Sequence, residues 1–450
     1  MDEAISIPRA SSDCSVQLRE ANKLEELPMR ETTRQRSVTT TSERPSEADL
    51  NVLAERWRSA PRRWGHPLHS ICSYFAMFPP QLAHFLIDWL TSPGDVVYDP
   101  FAGRGTVPLE AALLGRTGHA SDANPLAAVL SSAKVSIPTG AQIRWRLNQL
   151  EKAWISASTD IRNEPPDIRM LYSDCTLRQL VFLKRELDRS RSVDTFIMAV
   201  VLGMLHANHS KNGASRGFSI SMPNTFAMAP GYVRRYIDEN GLVAPNVDVF
   251  AMLRTRMERL DLPDSHKPSG RVWLQDATMR APAWLRKEKA RLVLTSPPYL
   301  QVIKYGKYNW VRLWFLNQEA RAVDDQLMAS SSLKRYSEFM GTVCKQLAEV
   351  VTPDGYVCLV IGDVRRGDDC LNLAETVWEQ AIKPLGWQRH AIVADELPEQ
   401  SKVSRIWKNN SGRATKTDRL LILSPQTSGL PALVKPNWEK ASRVYERSTA

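Results

Sequence analysis

The stretch GDVVYDPFAGRGTVPLEAALLGR, residues 94–116, decides the fold. It runs a short apolar segment, Val96-Val97-Tyr98, into Asp99, then a small-residue turn holding Gly103 and Gly105, then a run with helical spacing. Glycines in such a turn let backbone approach a ligand closely, and the helix behind it offers unpaired N–H groups in its first turn. A dinucleotide site is one reading, but the G-x-G-x-x-G spacing is absent because position 108 is Pro. A carboxylate at the strand's end, Asp99, would repel a pyrophosphate and suits an ammonium group. The ligand wanted here is cationic or zwitterionic.

Outward from this stretch, short apolar runs alternate with helical segments, the pattern of a mostly parallel sheet covered by helices. Seven strands are predicted, at 96–98, 117–121, 271–274, 292–294, 356–361, 388–393 and 420–423. A block from 140 to 265, including TLRQLVFLKRELDRS and VDTFIMAVVLGMLHANHS, has apolar spacings of three and four and reads as helical. It interrupts the strand series after the second strand. Residues 1–55 are rich in Ser, Thr, Arg and Glu without periodic apolar residues, and read as a solvated tail, as does 426–450. The expected organisation is therefore a tail at 1–55, a first catalytic-domain part at 56–139, a helical insertion at 140–265, a second part at 266–425, and a C-terminal tail.

Two further acids follow predicted strands. Asp122, in HASDANPLA, stands where a carboxylate accepts both hydroxyls of a ribose; capping of the next helix is its plainer reading, outweighed by the pairing with Asp99 and the glycine turn. Asp276, in RVWLQDATM, would lie next along the same sheet edge and accept from an adenine amine. The stretch LVLTSPPYLQ, 292–301, then runs a fourth strand into Ser296-Pro297-Pro298-Tyr299.

DPFAGRGT, Asp122, Asp276 and TSPPY together resemble the S-adenosylmethionine-dependent amino-methyltransferases of DNA. The resemblance covers about 70–425 apart from most of the insertion. It implies an α/β fold, the Rossmann-like seven-stranded class I methyltransferase sheet, here with a mainly helical insertion. It also implies S-adenosylmethionine as cofactor, with Asp99, Phe101, Gly103, Gly105 and Thr106 at its methionine end, Asp122 on the ribose and Asp276 on the adenine. The segment YFAMFPPQLAHFLIDWL resembles the family's additional cofactor segment, with Phe78 and Pro79 as contacts.

An exocyclic amine of a nucleobase is a poor nucleophile, because its lone pair is delocalised into the ring. The Ser296 hydroxyl and the Ser296 or Pro297 carbonyl would accept its protons, in a loop that two prolines keep rigid and free of competing N–H donors. Tyr299 would stack on a base taken out of the duplex. Pro-Pro also ends strands everywhere, and only the upstream site favours the clamp over a plain strand exit. Ser, rather than an acidic or amide residue, before Pro-Pro resembles the members that methylate cytosine at N4. Adenine N6, an RNA amine, or non-catalytic DNA binding with S-adenosylmethionine as effector are the alternatives. Carbon-5 methylation is disfavoured, since no cysteine lies in a Pro-Cys loop.

Lys and Arg number 59 against 49 Asp and Glu, a formal charge of +10, which favours a polyanionic partner. Double-stranded DNA is the expected partner, with a cognate restriction endonuclease as a candidate companion. Candidate phosphate contacts are Lys402, Arg405, Lys408, Arg413, Lys416 and Arg419, with Trp407 interleaved; in the insertion, Lys211, Arg216, Asn224, Arg234 and Arg235 are candidates for reading bases. In KYGKYNWVRLWFL, Tyr305 is a candidate for the base pocket, while Trp310 and Trp314 have the spacing of core residues. The six cysteines form neither C-x-x-C nor a Cys/His cluster, and His206 with His209 lacks an acidic or Cys partner, so no metal and no disulfide is expected. With no apolar run of membrane length and no leader pattern, a cytoplasmic protein is expected.

Overall fold

The computed structural model describes residues 57, 65–74, 78–208, 216–222, 228–266, 268–298, 300, 304–328, 330–366, 369–396 and 414–425. All of them belong to the unit Glu43–Ala450. Both expected tails lie outside the described residues.

The framework is one sheet whose seven main strands are β1 (Val96–Asp99), β2 (Thr117–Asp122), β3 (Val272–Leu274), β4 (Ala290–Thr295), β5 (Val351–Arg366), β6 (Gln388–Glu396) and β7 (Ala414–Ser424). Their order across the sheet is β3-β2-β1-β4-β5-β7-β6, and an eighth short strand, Asp369–Leu371, pairs with β5. Strands β3, β2, β1, β4 and β5 run parallel, while β7 is antiparallel to both its neighbours. This is the Rossmann-like α/β sheet expected from the sequence, and each predicted strand overlaps an observed one. The order reverses between β1 and β4, and in open parallel sheets ligands settle at such a switch point, beyond the carboxyl ends of the strands.

The central strands are apolar on both faces because helices cover both, as parallel sheets require. Side chains alternate along each strand. Val97, Leu292, Leu294, Cys358 and Val360 face a layer formed by α1 (Pro80–Leu90) and α2 (Thr106–Leu113). Tyr98, Val293, Val357, Leu359 and Ile361 face the opposite layer, with the Leu333–Val350 helix prominent in it. Each fully buried aliphatic side chain here contributes roughly 1.5–3 kcal/mol, so a charged residue at Val293 would break the sheet's centre.

After β2 the chain enters α3 (Pro125–Val135) and then the helices α4 (Gly140–Ser156), α5 (Asp174–Glu186), α6 (Ser192–Met204), α7 (Pro230–Asn240) and α8 (Val249–Met257) before returning as β3. Their starts are legible locally. Thr139 and Gln142 form a capping box on α4, and the side chains of Ser173 and Asp248 cap α5 and α8. Helix α6 is apolar nearly all round and forms the middle of this second core. A buried ion pair ties α4 to it, with Arg146 Nε 2.7 Å and Nη2 2.9 Å from the oxygens of the fully buried Asp194. No helix among the described residues is long and apolar enough to cross a membrane.

Candidate active site

The carboxyl ends of β1, β2, β3 and β4 open onto one cleft. Its lining includes Phe78, Asp99, Phe101, Gly103, Thr106, Asp122, Asp276, Ser296, Pro297 and Pro298. Residues spread over more than 200 positions thus share one cavity because most of them follow a strand of the same sheet, while Phe78 arrives from the segment before α1. Gly105 and Pro79 do not line it. Gly105 is the residue before α2, at φ 74°, and a Cβ there would stand 2.7 Å from Ser131 Cα, so its lack of a side chain lets α2 lie against α3. Pro79 sits just before the first turn of α1 in extended conformation, delivering Phe78 to the cleft. Tyr299 lies outside the described residues.

The acids are held by short loops, which leave one oxygen of Asp99 and one of Asp276 without a loop partner. Asp99 Oδ1 accepts from the Phe101 N–H at 3.0 Å and from the Thr295 hydroxyl at 2.5 Å, so Oδ2 is left to meet a ligand. Asp276 repeats this economy, its Oδ1 accepting from both the N–H and the hydroxyl of Thr278. Asp122 accepts at both oxygens, from the N–H of Gly103 at 2.9 Å and of Asn124 at 2.8 Å, which locks the glycine turn to the end of β2. Burial pushes the Asp99 carboxyl up to about 7 against the hydrogen bonds from Thr295 and Phe101. It pushes Asp122 up to about 6 against those from Asn124 and Gly103. Each of these acids also feels a neighbouring carboxylate, Asp122 beside Asp99 and Asp276 beside Asp122. A cation in the cleft would relieve both penalties.

Across the cleft, the Ser296 hydroxyl donates to the Val360 carbonyl of β5 at 3.2 Å. With its proton directed there, the oxygen's lone pairs remain for an incoming donor. Pro297 and Pro298 contribute carbonyls and no N–H.

Several lining residues carry no motif. Tyr74 stacks on Tyr305 with ring centroids 5.7 Å apart and donor contact from Asn124 Nδ2 to its hydroxyl at 3.0 Å. Tyr305, a base-pocket candidate, does line the cleft, but one face of its ring is occupied by Tyr74. Asn124 had a local signal: it precedes Pro125 and its side chain caps α3 through the Leu126 N–H. Phe339 arrives from the Leu333–Val350 helix and had none. Arg104, between the two glycines of the turn, reaches back to the His69 carbonyl at 3.1 Å, and its own carbonyl accepts from the buried Lys134 at 2.5 Å.

Two expected nucleic-acid contacts have other partners. Arg419 lies in β7 and grips the buried Asp363 with contacts of 2.8, 2.9 and 3.0 Å, so it is a sheet ion pair rather than a phosphate ligand. Arg234 on α7 pairs with Asp167 at 2.6 Å. Arg216 and Arg235 are exposed. Lys402, Arg405, Trp407, Lys408, Arg413, Lys211, Asn224, His209 and the side chain of Lys416 lie outside the described residues. His206 is buried, and Trp314 is buried with Trp310 packed against the same core. Among the described residues no group of three or more His, Cys, Asp or Glu could hold a metal ion.

The strand order and the cleft at its switch point define a Rossmann-like α/β fold with a ligand cleft. A family model described as DNA methylase, of the N6/N4 kind, matches residues 17–157, less than half of the chain. The matched segment carries β1, the glycine turn and β2, and it begins within the stretch expected to be a tail. It supports a methyltransferase of the DNA-methylase type. Comparison with curated proteins gives no match. Similar solved structures include TrmN from Thermus thermophilus, at 12% identity and TM-score 0.29, covering 80% of this chain and 52% of that one. The rRNA methyltransferase aviRa from Streptomyces viridochromogenes is similar at 10% identity and TM-score 0.30, over 85% of this chain and 94% of its own. A precorrin 8w decarboxylase from Methanobacterium thermoautotrophicum is similar at 8% identity and TM-score 0.29, over 78% and 93%. This chain spans about half the length of TrmN, and the fold assignment rests on the strand order itself.

Proposed function

We propose that this protein transfers a methyl group from S-adenosylmethionine to the N4 amine of cytosine in double-stranded DNA. The observation that carries the reading is the meeting, in one cleft, of a three-acid half-site with Ser296-Pro297-Pro298. The donor set fits the cofactor: Asp99 for the ammonium, Asp122 for the ribose hydroxyls, Asp276 for the adenine amine, and Phe78, Phe101, Gly103 and Thr106 shaping the pocket between them. Gly105 and Pro79 serve it indirectly, through the turn and through α1. The bound cofactor would supply an electrophilic methyl group.

What the chain does is orient the amine and accept hydrogen bonds from it, the proton released on methylation passing to solvent. The Ser296 oxygen and the Ser296 or Pro297 carbonyl hold the amine with its lone pair directed into the cleft, and the hydrophobic walls exclude water. Tyr299, next in sequence, is assigned the stacking face for the flipped base. Serine rather than a carboxylate or amide ahead of Pro-Pro favours cytosine over adenine. The +10 charge suits either nucleic acid, and the DNA-methylase match favours DNA over RNA. Such an enzyme would share its recognition site with a restriction endonuclease where one accompanies it.

The test is incubation of purified protein with unmethylated plasmid and S-adenosylmethionine, then mass spectrometry of the released nucleosides. N4-methylcytosine is expected. N6-methyladenine would overturn the inference from Ser296 alone, and modification confined to structured RNA would overturn the DNA assignment.

A further inference from the structure

The two halves of the cleft meet at one side-chain hydrogen bond. Thr295 is the last residue of β4, and its hydroxyl donates to Asp99, the last residue of β1, at 2.5 Å. These strands are parallel neighbours with Tyr98 opposite Val293, so Asp99 and Thr295 leave the sheet at the same edge. Thr295 is fully buried and does not line the cleft. The next residue, Ser296, does.

A threonine here invites a simple reading, because β-branched side chains suit strands. Valine would serve packing equally well. What valine cannot do is donate a hydrogen bond to a buried carboxylate, and a hydrogen bond to a charged group contributes more than one between neutral groups. The geometry gives that donor two consequences. By occupying Oδ1 together with the Phe101 N–H, it leaves Oδ2 of this cleft-lining acid for a ligand. By sitting one residue before Ser296, it couples the position of the acid to that of the clamp.

We infer that Thr295 is a positioning residue: through its hydroxyl it orients Asp99 toward the cofactor's cationic end and ties the cofactor half-site to the Ser296 clamp. This rests on the reading of the cleft as an S-adenosylmethionine site. The other ionisable groups around Asp99 are Asp122 at the end of β2, Asp276 after β3, Arg104 in the glycine turn, and the phenols of Tyr98, Tyr74 and Tyr305. None of them is altered by substituting Thr295.

The experiment is calorimetric binding of S-adenosylhomocysteine to the full chain between about pH 6 and 9, for the wild type, Thr295→Val and Thr295→Ser. Thr295→Val is expected to weaken binding about tenfold at neutral pH, the loss of one charge-assisted hydrogen bond. It also moves the acid limb of the affinity profile to higher pH, since Asp99 loses a donor that favours its ionised form. Thr295→Ser keeps the donor and is expected to restore both affinity and profile. In an Asp99→Asn background the Thr295→Val effect should vanish, which a packing defect would not do. Should valine prevent folding, Thr295→Cys, close in size and a poor donor, takes its place with the same expectation. Wild-type binding with an unshifted Thr295→Val profile overturns the inference alone, as does an equal loss in Thr295→Ser. A wild type that does not bind S-adenosylhomocysteine overturns the cofactor reading, and the inference with it.

Discussion

The two walls of the cleft are built on opposite terms. On the β1–β2 side nearly every polar group is already bonded within the protein: Asp122 accepts from Gly103 and Asn124, Asp99 from Phe101 and, across the cleft, from Thr295, and Arg104 donates to the His69 carbonyl. On the β4 side Ser296 donates once, to Val360, and the two residues after it carry no N–H at all. The first wall is organised before any ligand arrives, which suits a cofactor bound the same way every cycle. The second presents acceptors awaiting a donor, which suits a substrate that must enter, react and leave. A site that transfers a group between two molecules needs both kinds of wall.

The largest expected effect falls on the β4 wall. Ser296→Ala should lower methyl transfer by about a hundredfold or more, on the order of 3 kcal/mol of transition-state stabilisation, while leaving S-adenosylhomocysteine affinity within about twofold. Single-turnover rates on plasmid DNA, set beside calorimetric binding, separate the two quantities. Loss of both together would erase the distinction between the walls.

On the other wall the effects should appear first as stability. Gly105→Ala puts a Cβ at φ 74° and 2.7 Å from Ser131 Cα, and is expected to cost about 2–3 kcal/mol in denaturant unfolding. Full stability with unchanged cofactor binding would show that α2 and α3 separate easily and that the turn is not rigid. Asp122→Asn should weaken cofactor binding about tenfold and leave the rate at saturating cofactor within a fewfold; a collapse of that rate instead would assign Asp122 to the chemistry.

The smallest effect is a pH dependence confined to the same wall. Asp99, near 7, must ionise to meet the ammonium group and Asp122, near 6, to accept from both ribose hydroxyls, so affinity for S-adenosylhomocysteine should rise as pH passes from about 6 to 8 and then level off. The gain should be a fewfold to about tenfold. In the ligand-free protein the sign reverses. A carboxyl raised from 3.8 to about 7 stabilises the fold fully below the lower value, and that contribution is lost as pH rises through the higher one. A binding profile flat from pH 6 to 8 would mean that both acids are already ionised in the free cleft.

Much of the cleft was legible because its residues sit at strand ends, where a change from apolar run to acid or glycine marks the boundary. Asp99, Asp122, Asp276 and Ser296 were each found this way, and all four line one cavity. Tyr74 and Phe339 were not, because neither occupies a strand end: one precedes α1 and the other sits within a helix of 18 residues. Arg419 misled for the converse reason. Read along the chain it belongs to a run of cations; in the sheet it lies across from Ile361 and reaches the carboxylate of Asp363, two residues on, whose burial demands a partner.

What the sequence by itself determined is the order of the elements and the chemistry at their ends: alternating apolar runs, the glycine turn, three acids and a serine before two prolines. Those are local properties, set by backbone preferences and by which residues can be buried. Only the tertiary structure decided which oxygen of Asp99 remains open, that Gly105 is needed for the contact of α2 with α3 rather than for the cleft, and that the Thr295 hydroxyl bonds Asp99 across the two halves. Each of these depends on a contact between residues far apart in the chain, through sheet register and helix packing, and no local pattern encodes such a distance.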